Sequence, residues 1–258
     1  MPLFARYPRA QIEAGRHDVL PSAPDAEQFV REAAIGDGWL HPDASNYTFV
    51  VELELDGRRA HGVYKPRSGE APLWDFPIGT LHHRECAAYE LGKSLGWGLI
   101  PPTVEREGEA GEGSLQLFVP HGPDSNFFTF RNGREEECLR LAVFDLIANN
   151  ADRKGGHCFV GPDDRVWAVD NGLTFNAAHK LRTVIWDFAG DTVPDPLLAD
   201  AARAADDLGS GDGPLAQALA GMLDEQETSA LLGRLRRLLD DPMLPTPSTR
   251  RDLPWPWL

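Results

Sequence analysis

Residues 149–175 read NNADRKGGHCFVGPDDRVWAVDNGLTF. Two short apolar runs, Cys158 to Val160 and Val166 to Val169, flank the turn residues GPDD, the pattern of a β-hairpin. Just upstream, Glu135 to Ile147 carries Leu139, Leu141, Ala142, Phe144, Leu146 and Ile147, a spacing that predicts a mostly buried helix. Between helix and hairpin stands a dense polar cluster: Asn149, Asn150, Asp152, Arg153, Lys154 and His157. Asp170 follows at the far end of the hairpin, with Asn171 and Gly172 behind it. A hairpin returns its end towards its start, so Asp152 and Asp170 are expected to face one cleft. Two carboxylates with amide and imidazole neighbours suit Mg²⁺ or Mn²⁺ held together with phosphate oxygens. Phosphoryl transfer asks for one carboxylate near the incoming hydroxyl and another on the metal. That division makes Asp152 the base or positioning group and Asp170 the metal ligand.

Working outward towards the N-terminus, Tyr47 to Leu55 and Ala60 to Lys65 read as strands joined at Asp56-Gly57. Lys65, in GVYKP, ends the second of them, where its ammonium can neutralise nucleotide phosphates. A Pro/Gly-rich loop covers 66–80, and Leu81 to Leu95 predicts a helix stopped by Gly96. Glu85 on that helix is the candidate ion-pair partner of Lys65. Ser45 and Asn46 precede the first strand, where backbone amides and a hydroxyl can cover phosphates. An extended run begins at Pro101-Pro102, 108–113 is a turn, and Ser114 to Val119 is a strand. Asp25 to Ala34 predicts a further helix. From Pro196 onward the pattern is helical, broken at Gly209 to Gly213 and amphipathic over 231–241. The proline-rich tail cannot be a helix, and Trp255 and Trp257 are expected to pack back on the body. The fold expected is α+β and two-lobed: a small sheet-rich N-terminal lobe over 1–120 and a mainly helical C-terminal lobe over 121–258.

Composition narrows the function classes. The 258 residues carry a formal net charge of −15, which argues against an electrostatic grip on nucleic acid or anionic lipid. Neither a stretch of membrane-span length nor a signal-peptide core is present, so a cytoplasmic protein without stable membrane insertion is expected. Cys86, Cys138 and Cys158 have no zinc or disulfide spacing and are expected as reduced, buried thiols. His82-His83 invites a metal reading, but adjacent residues point in different directions on a helix. No GxGxxG or Walker motif occurs.

NNADRKGGH followed by VDNGLTF resembles the catalytic and metal-binding segments of the phosphatidylinositol 3-/4-kinase family, above all the type II 4-kinases. HipA-type bacterial serine kinases share the general loop, and GVYKP resembles the nucleotide-lysine strand. The chain as a whole looks most like an actinobacterial group of proteins placed beside these kinases. The resemblance implies a two-lobed kinase-like fold, ATP, and Mg²⁺ or Mn²⁺. It implies phosphate contact for Lys65, a catalytic role for Asp152 with Asn150 and Arg153 at matching loop positions, and metal binding by Asp170. It implies Phe118 and Val119 at the inter-lobe hinge where adenine docks. His157 stands where these kinases carry asparagine as second metal ligand. Imidazole favours Mn²⁺ over Mg²⁺. The expected function is therefore ATP-dependent transfer to a hydroxyl of a protein or small metabolite, lipid being the weaker choice. His179, Lys180 and Arg182 are candidates for holding a phosphate-bearing acceptor. The alternative is a nucleotide-binding pseudokinase with a regulatory or scaffold role.

Overall fold

The computed structural model describes Pro8, Ile12 and residues 15–42, 44 and 46–258. The N-terminal region is a five-stranded antiparallel sheet and the C-terminal part is helical, an α+β architecture. Helix α1 (Ala26–Glu32) leads into β1 (Ala34–Leu40), β2 (Phe49–Leu55) and β3 (Arg58–Pro66). After a loop come α2 (Leu81–Leu95), β4 (Thr103–Gly108) and β5 (Gly111–Leu117), giving the sheet order β1-β2-β3-β5-β4. The β2–β3 turn is the expected one: Asp56 and Gly57 both have positive φ, 52° and 74°, as a tight hairpin matched to strand twist requires.

Alternation along β3 sends His61, Val63 and Lys65 to one face of the sheet and Ala60 and Tyr64 to the other. Val63 pairs with Val50 and Gln116, and Lys65 with Ser114. On the second face, Phe29 and Val30 of α1 pack with Val51, Leu53, Ala60, Tyr64, Leu115 and Leu117. This is the sheet's own core, each large side chain contributing roughly 1.5–3 kcal/mol.

The larger core belongs to the helices. Short α3 (Phe127–Phe130) precedes α4 (Glu135–Ala148) and the hairpin β6 (Cys158–Val160) and β7 (Val166–Ala168). Then come α5 (Asp195–Ser210), α6 (Pro214–Leu219) and α7 (Glu225–Asp240). Leu141, Phe144 and Ile147 of α4 pack with Ala201, Ala204, Leu231 and Leu235. Leu91 and Leu95 of α2 join the same cluster. So α2 is embedded in the helical body while its first turns reach the sheet. Gly96, at φ 72°, ends it as its sequence position predicts.

Three details depart from the sequence reading. Strand β1 is an addition: AIGDGWL has two glycines and an aspartate, and lies at the sheet edge with an irregular register between Ile35 and Gly38. Strands β4 and β5 extend into GEAGEG as far as the Gly108–Gly111 pair. The tail rings do not pack inward: Trp255 is 83 % exposed and Trp257 52 %. The three cysteines are buried free thiols. No helix among the described residues is long and apolar enough to cross a membrane.

Candidate active site

The site begins where α4 stops. Asn149 takes the left-handed conformation (φ 55°) at the helix end, which asparagine tolerates better than most residues. Its side-chain amide donates to the carbonyls of Asn176 and Ala178 at 2.8 and 2.7 Å, and its oxygen accepts the Lys180 N–H at 2.8 Å. The chain after the helix is then tied to two downstream segments. Ala151 N–H donates to Leu173 O (2.8 Å), Arg182 N–H to Asn150 O (2.8 Å) and Arg153 N–H to Arg182 O (3.0 Å).

Beneath this loop lies a fully buried ion pair. Arg153 donates through Nε to both carboxylate oxygens of Asp145, at 3.0 and 3.2 Å. Its other nitrogens reach Val169 O (2.8 Å) and Asn171 Oδ1 (2.6 Å). Asn150 Nδ2 and Thr183 Oγ1 also donate to Asp145, each at 3.2 Å. Burial depresses the Arg153 pKa, but the Asp145 carboxylate outweighs it and leaves the guanidinium above its ordinary value. Arg153 and Asn150 are both buried beneath the loop. Arg153 links the loop to the segment carrying Asp170. Asn150 Oδ1 accepts the Asp152 N–H at 2.9 Å and sets that residue's direction. Sequence reasoning missed Asp145; its signal was a lone carboxylate inside the apolar run LAVFDLIA with an arginine downstream.

Above the loop, the predicted polar residues converge. Lys65 Nζ bonds Glu85 Oε1 and, at 2.7 Å, Asp170 Oδ1. Glu85 Oε2 accepts the Asn171 N–H at 2.9 Å, so α2 holds the Asp170 segment as well as the lysine. The other oxygen of Asp170 lies 3.3 Å from His157 Nε2. Asp170 itself has φ 58°, a left-handed turn that aims its carboxylate between lysine and histidine. The Lys65 ammonium holds that carboxylate well below its usual range. Burial also lowers the Lys65 pKa, yet the charges of Asp170 and Glu85 raise it above normal. His157 is pulled down to about 4, mainly by burial, and is therefore neutral near pH 7. Asp152 pairs with Lys154 Nζ at 2.9 Å. Burial raises its pKa, Lys154 opposes, and the Asp170 charge adds to the rise.

A neutral imidazole and an ionised carboxylate 3.3 Å apart fit two ligands of one divalent cation. The nitrogen donor suits Mn²⁺ better than Mg²⁺. Phe118 and Val119, which the resemblance implies at a hinge, are both buried. Val119 packs with Phe159 and Trp167 of the hairpin. Phe118 packs with Val50 and Ile12 and stacks on His17 at 5.7 Å. Trp39 and Val63 flank that cluster. Ile12 and His17 thus cover the sheet face that Lys65 shares. Asn46 spends its amide oxygen on the Ala71 N–H at 2.8 Å, pinning the loop after β3. Ser45 lies outside the described residues. Of the acceptor candidates, Lys180 pairs with Asp75 at 2.7 Å and sits over the Trp74 ring, while His179 and Arg182 are exposed. Gly155 is required by close approach: a Cβ there would lie 2.6 Å from the Phe128 ring. Its N–H donates to Trp257 O at 2.7 Å, so the tail's backbone docks on the loop.

No family model matches the sequence. A crystal structure of a Helicobacter pylori proinflammatory kinase, CtkA, is similar with a TM-score of 0.47 and 11 % identity, over 83 % of this chain and 94 % of that one. Protein Rv2133c of Mycobacterium tuberculosis is 44 % identical over 248 residues, 83 % of this chain and 88 % of the relative. The chain belongs to the family of that mycobacterial protein.

Proposed function

We propose that the protein is an ATP-dependent phosphotransferase of the phosphatidylinositol 3-/4-kinase-like type, acting on a hydroxyl of a protein or small metabolite. One observation carries this reading: Lys65 is held between Glu85 and Asp170. It joins a strand, a helix and the post-hairpin turn in one charged cluster beside Asp152. A lysine kept cationic by two carboxylates, one of them half exposed, is arranged to receive phosphate oxygens. A divalent cation on Asp170 and His157 would neutralise charge on the transferring group. Lys65 binds phosphate oxygens, and Glu85 keeps it aimed. Asp152 accepts the proton of the incoming hydroxyl at its carboxylate, its raised pKa favouring that step. Lys154, 2.9 Å from Asp152, keeps the carboxylate ionised until then. Arg153 and Asp145 fix the loop from below. The net charge of −15 favours a water-soluble acceptor over an anionic lipid surface.

The test is transfer of labelled γ-phosphate from ATP by the purified chain in Mn²⁺ and in Mg²⁺. His157→Asn is expected to raise the Mg²⁺-to-Mn²⁺ rate ratio by roughly tenfold, because the oxygen donor replaces an imidazole. An unchanged ratio means His157 is no ligand.

A second reading, a nucleotide-binding pseudokinase, is favoured by His157 and by the cover over Phe118. If the purine docks along Val50, Val63 and Phe118, it competes with Ile12. Ile12→Ser is then expected to tighten ATP binding by about tenfold, as a competing apolar contact weakens. Calorimetric titration checks it; equal affinity places the purine elsewhere.

A further inference from the structure

The geometry points to a zinc site distinct from the Asp170 cluster, built from His82 and His83 of α2 and Glu112 of β5. One ligand atom from each of these residues lies within 4.8 Å of the other two. The imidazole ring centroids of the two histidines are 4.0 Å apart, with the planes tilted by 36°. The helical argument against an adjacent-histidine pair therefore fails here. Both residues sit in the first turn of α2, where Glu70 of the loop after β3 and Glu105 of edge strand β4 each supply a carboxylate to one ring.

Those carboxylates are the second part of the case. His82 Nδ1 lies 2.8 Å from Glu70 Oε1, and the same oxygen accepts the His82 backbone N–H at 2.9 Å. His83 Nδ1 lies 2.5 Å from Glu105 Oε1. A carboxylate accepts, so His82 Nδ1 carries a proton, and in the neutral ring Nε2 carries the lone pair. This is the outer-shell arrangement that orients imidazoles for a metal.

The third observation is independent of the clustering. The His82 side chain is 0 % exposed, and its Nε2 has no hydrogen-bond partner. A buried lone pair left without a partner is costly unless something occupies it. A cation coordinated by that nitrogen removes the cost.

Two imidazoles and one carboxylate, with water as a fourth ligand, suit Zn²⁺ in tetrahedral geometry, where ligand atoms stand about 3.3 Å apart. The Glu112 side chain, which is 45 % exposed, is at the surface and can turn towards the two rings. Glu112 now contacts Arg67 at 3.4 Å, an exposed pair that offers little resistance. The positive end of the α2 dipole opposes a cation, and Glu70, Glu105 and Glu112 together offset it. Bound zinc would staple the start of α2 to β5, three residues before Glu85 on the same helix. The proposal does not depend on the phosphotransferase reading.

The test is a Zn²⁺ titration of the full chain after treatment with chelator, followed by metal analysis of the dialysed protein. One zinc per chain is expected. His83→Ala and Glu112→Ala, both at accessible positions, should each lower affinity at least about tenfold, and Glu70→Gln by about 10- to 100-fold. Asp170→Ala should retain the zinc. Absence of zinc binding by the unaltered chain, equal affinity in the His83 and Glu112 variants, or loss of zinc in Asp170→Ala would each overturn the assignment.

Discussion

Arg153→Met is expected to lower the stability of the folded chain by about 3–5 kcal/mol, the largest loss of any single substitution at the site. The cause is not the pair's net attraction, which desolvation largely cancels. Removing the guanidinium strands the Asp145 carboxylate in a region where both side chains are 0 % exposed. It also leaves Val169 O and Asn171 Oδ1 without their donor. Asn150 and Thr183 still donate to Asp145, and they alone cannot compensate an ionised carboxylate. Urea denaturation reads the effect as a lower midpoint. The double substitution Asp145→Leu with Arg153→Met removes the stranded charge and should recover a large part of the loss. Equal instability in both variants would locate the damage in the Val169 and Asn171 contacts instead.

The second large effect is chemical. Asp152→Asn should reduce transfer of the labelled γ-phosphate by about 10²- to 10⁴-fold, the usual contribution of a positioned base. ATP affinity should stay within about twofold, since Lys65, Glu85 and Asp170 are untouched. The asparagine preserves shape, and the backbone bond from residue 152 to Asn150 Oδ1 survives. A matching fall in affinity would make Asp152 a nucleotide or metal contact rather than a base. Unchanged transfer would remove it from the chemistry.

Much of this arrangement is legible in the chain because local signals agree with the global fold. Gly96 ends α2 and Asp56-Gly57 turns β2 into β3, as their φ values require. The hairpin after 157 brings Asp170 back beside the loop that holds His157. What escaped was decided by packing at long range. The edge strand β1 has weak local preference and gains its pairing from β2. Asp145 is one polar residue in an apolar helix, and only folding buries Arg153, eight positions on, against it. Periodicity separates His82 from His83, yet Glu70 and Glu105 draw their rings together. The resemblance implies Phe118 beside the adenine, but Ile12 and His17, far away in sequence, cover it.

We propose that the Lys65–Glu85–Asp170 cluster is a metal-dependent site for nucleotide phosphates. Calorimetric titration of the unaltered chain with ATP, with and without Mn²⁺, tests it most directly, alongside Lys65→Met and Asp170→Asn. Binding is expected to strengthen with Mn²⁺, to lose that metal dependence in Asp170→Asn, and to fall at least about tenfold in Lys65→Met. No binding of ATP to the unaltered chain, or the same metal-dependent affinity in all three proteins, would contradict it.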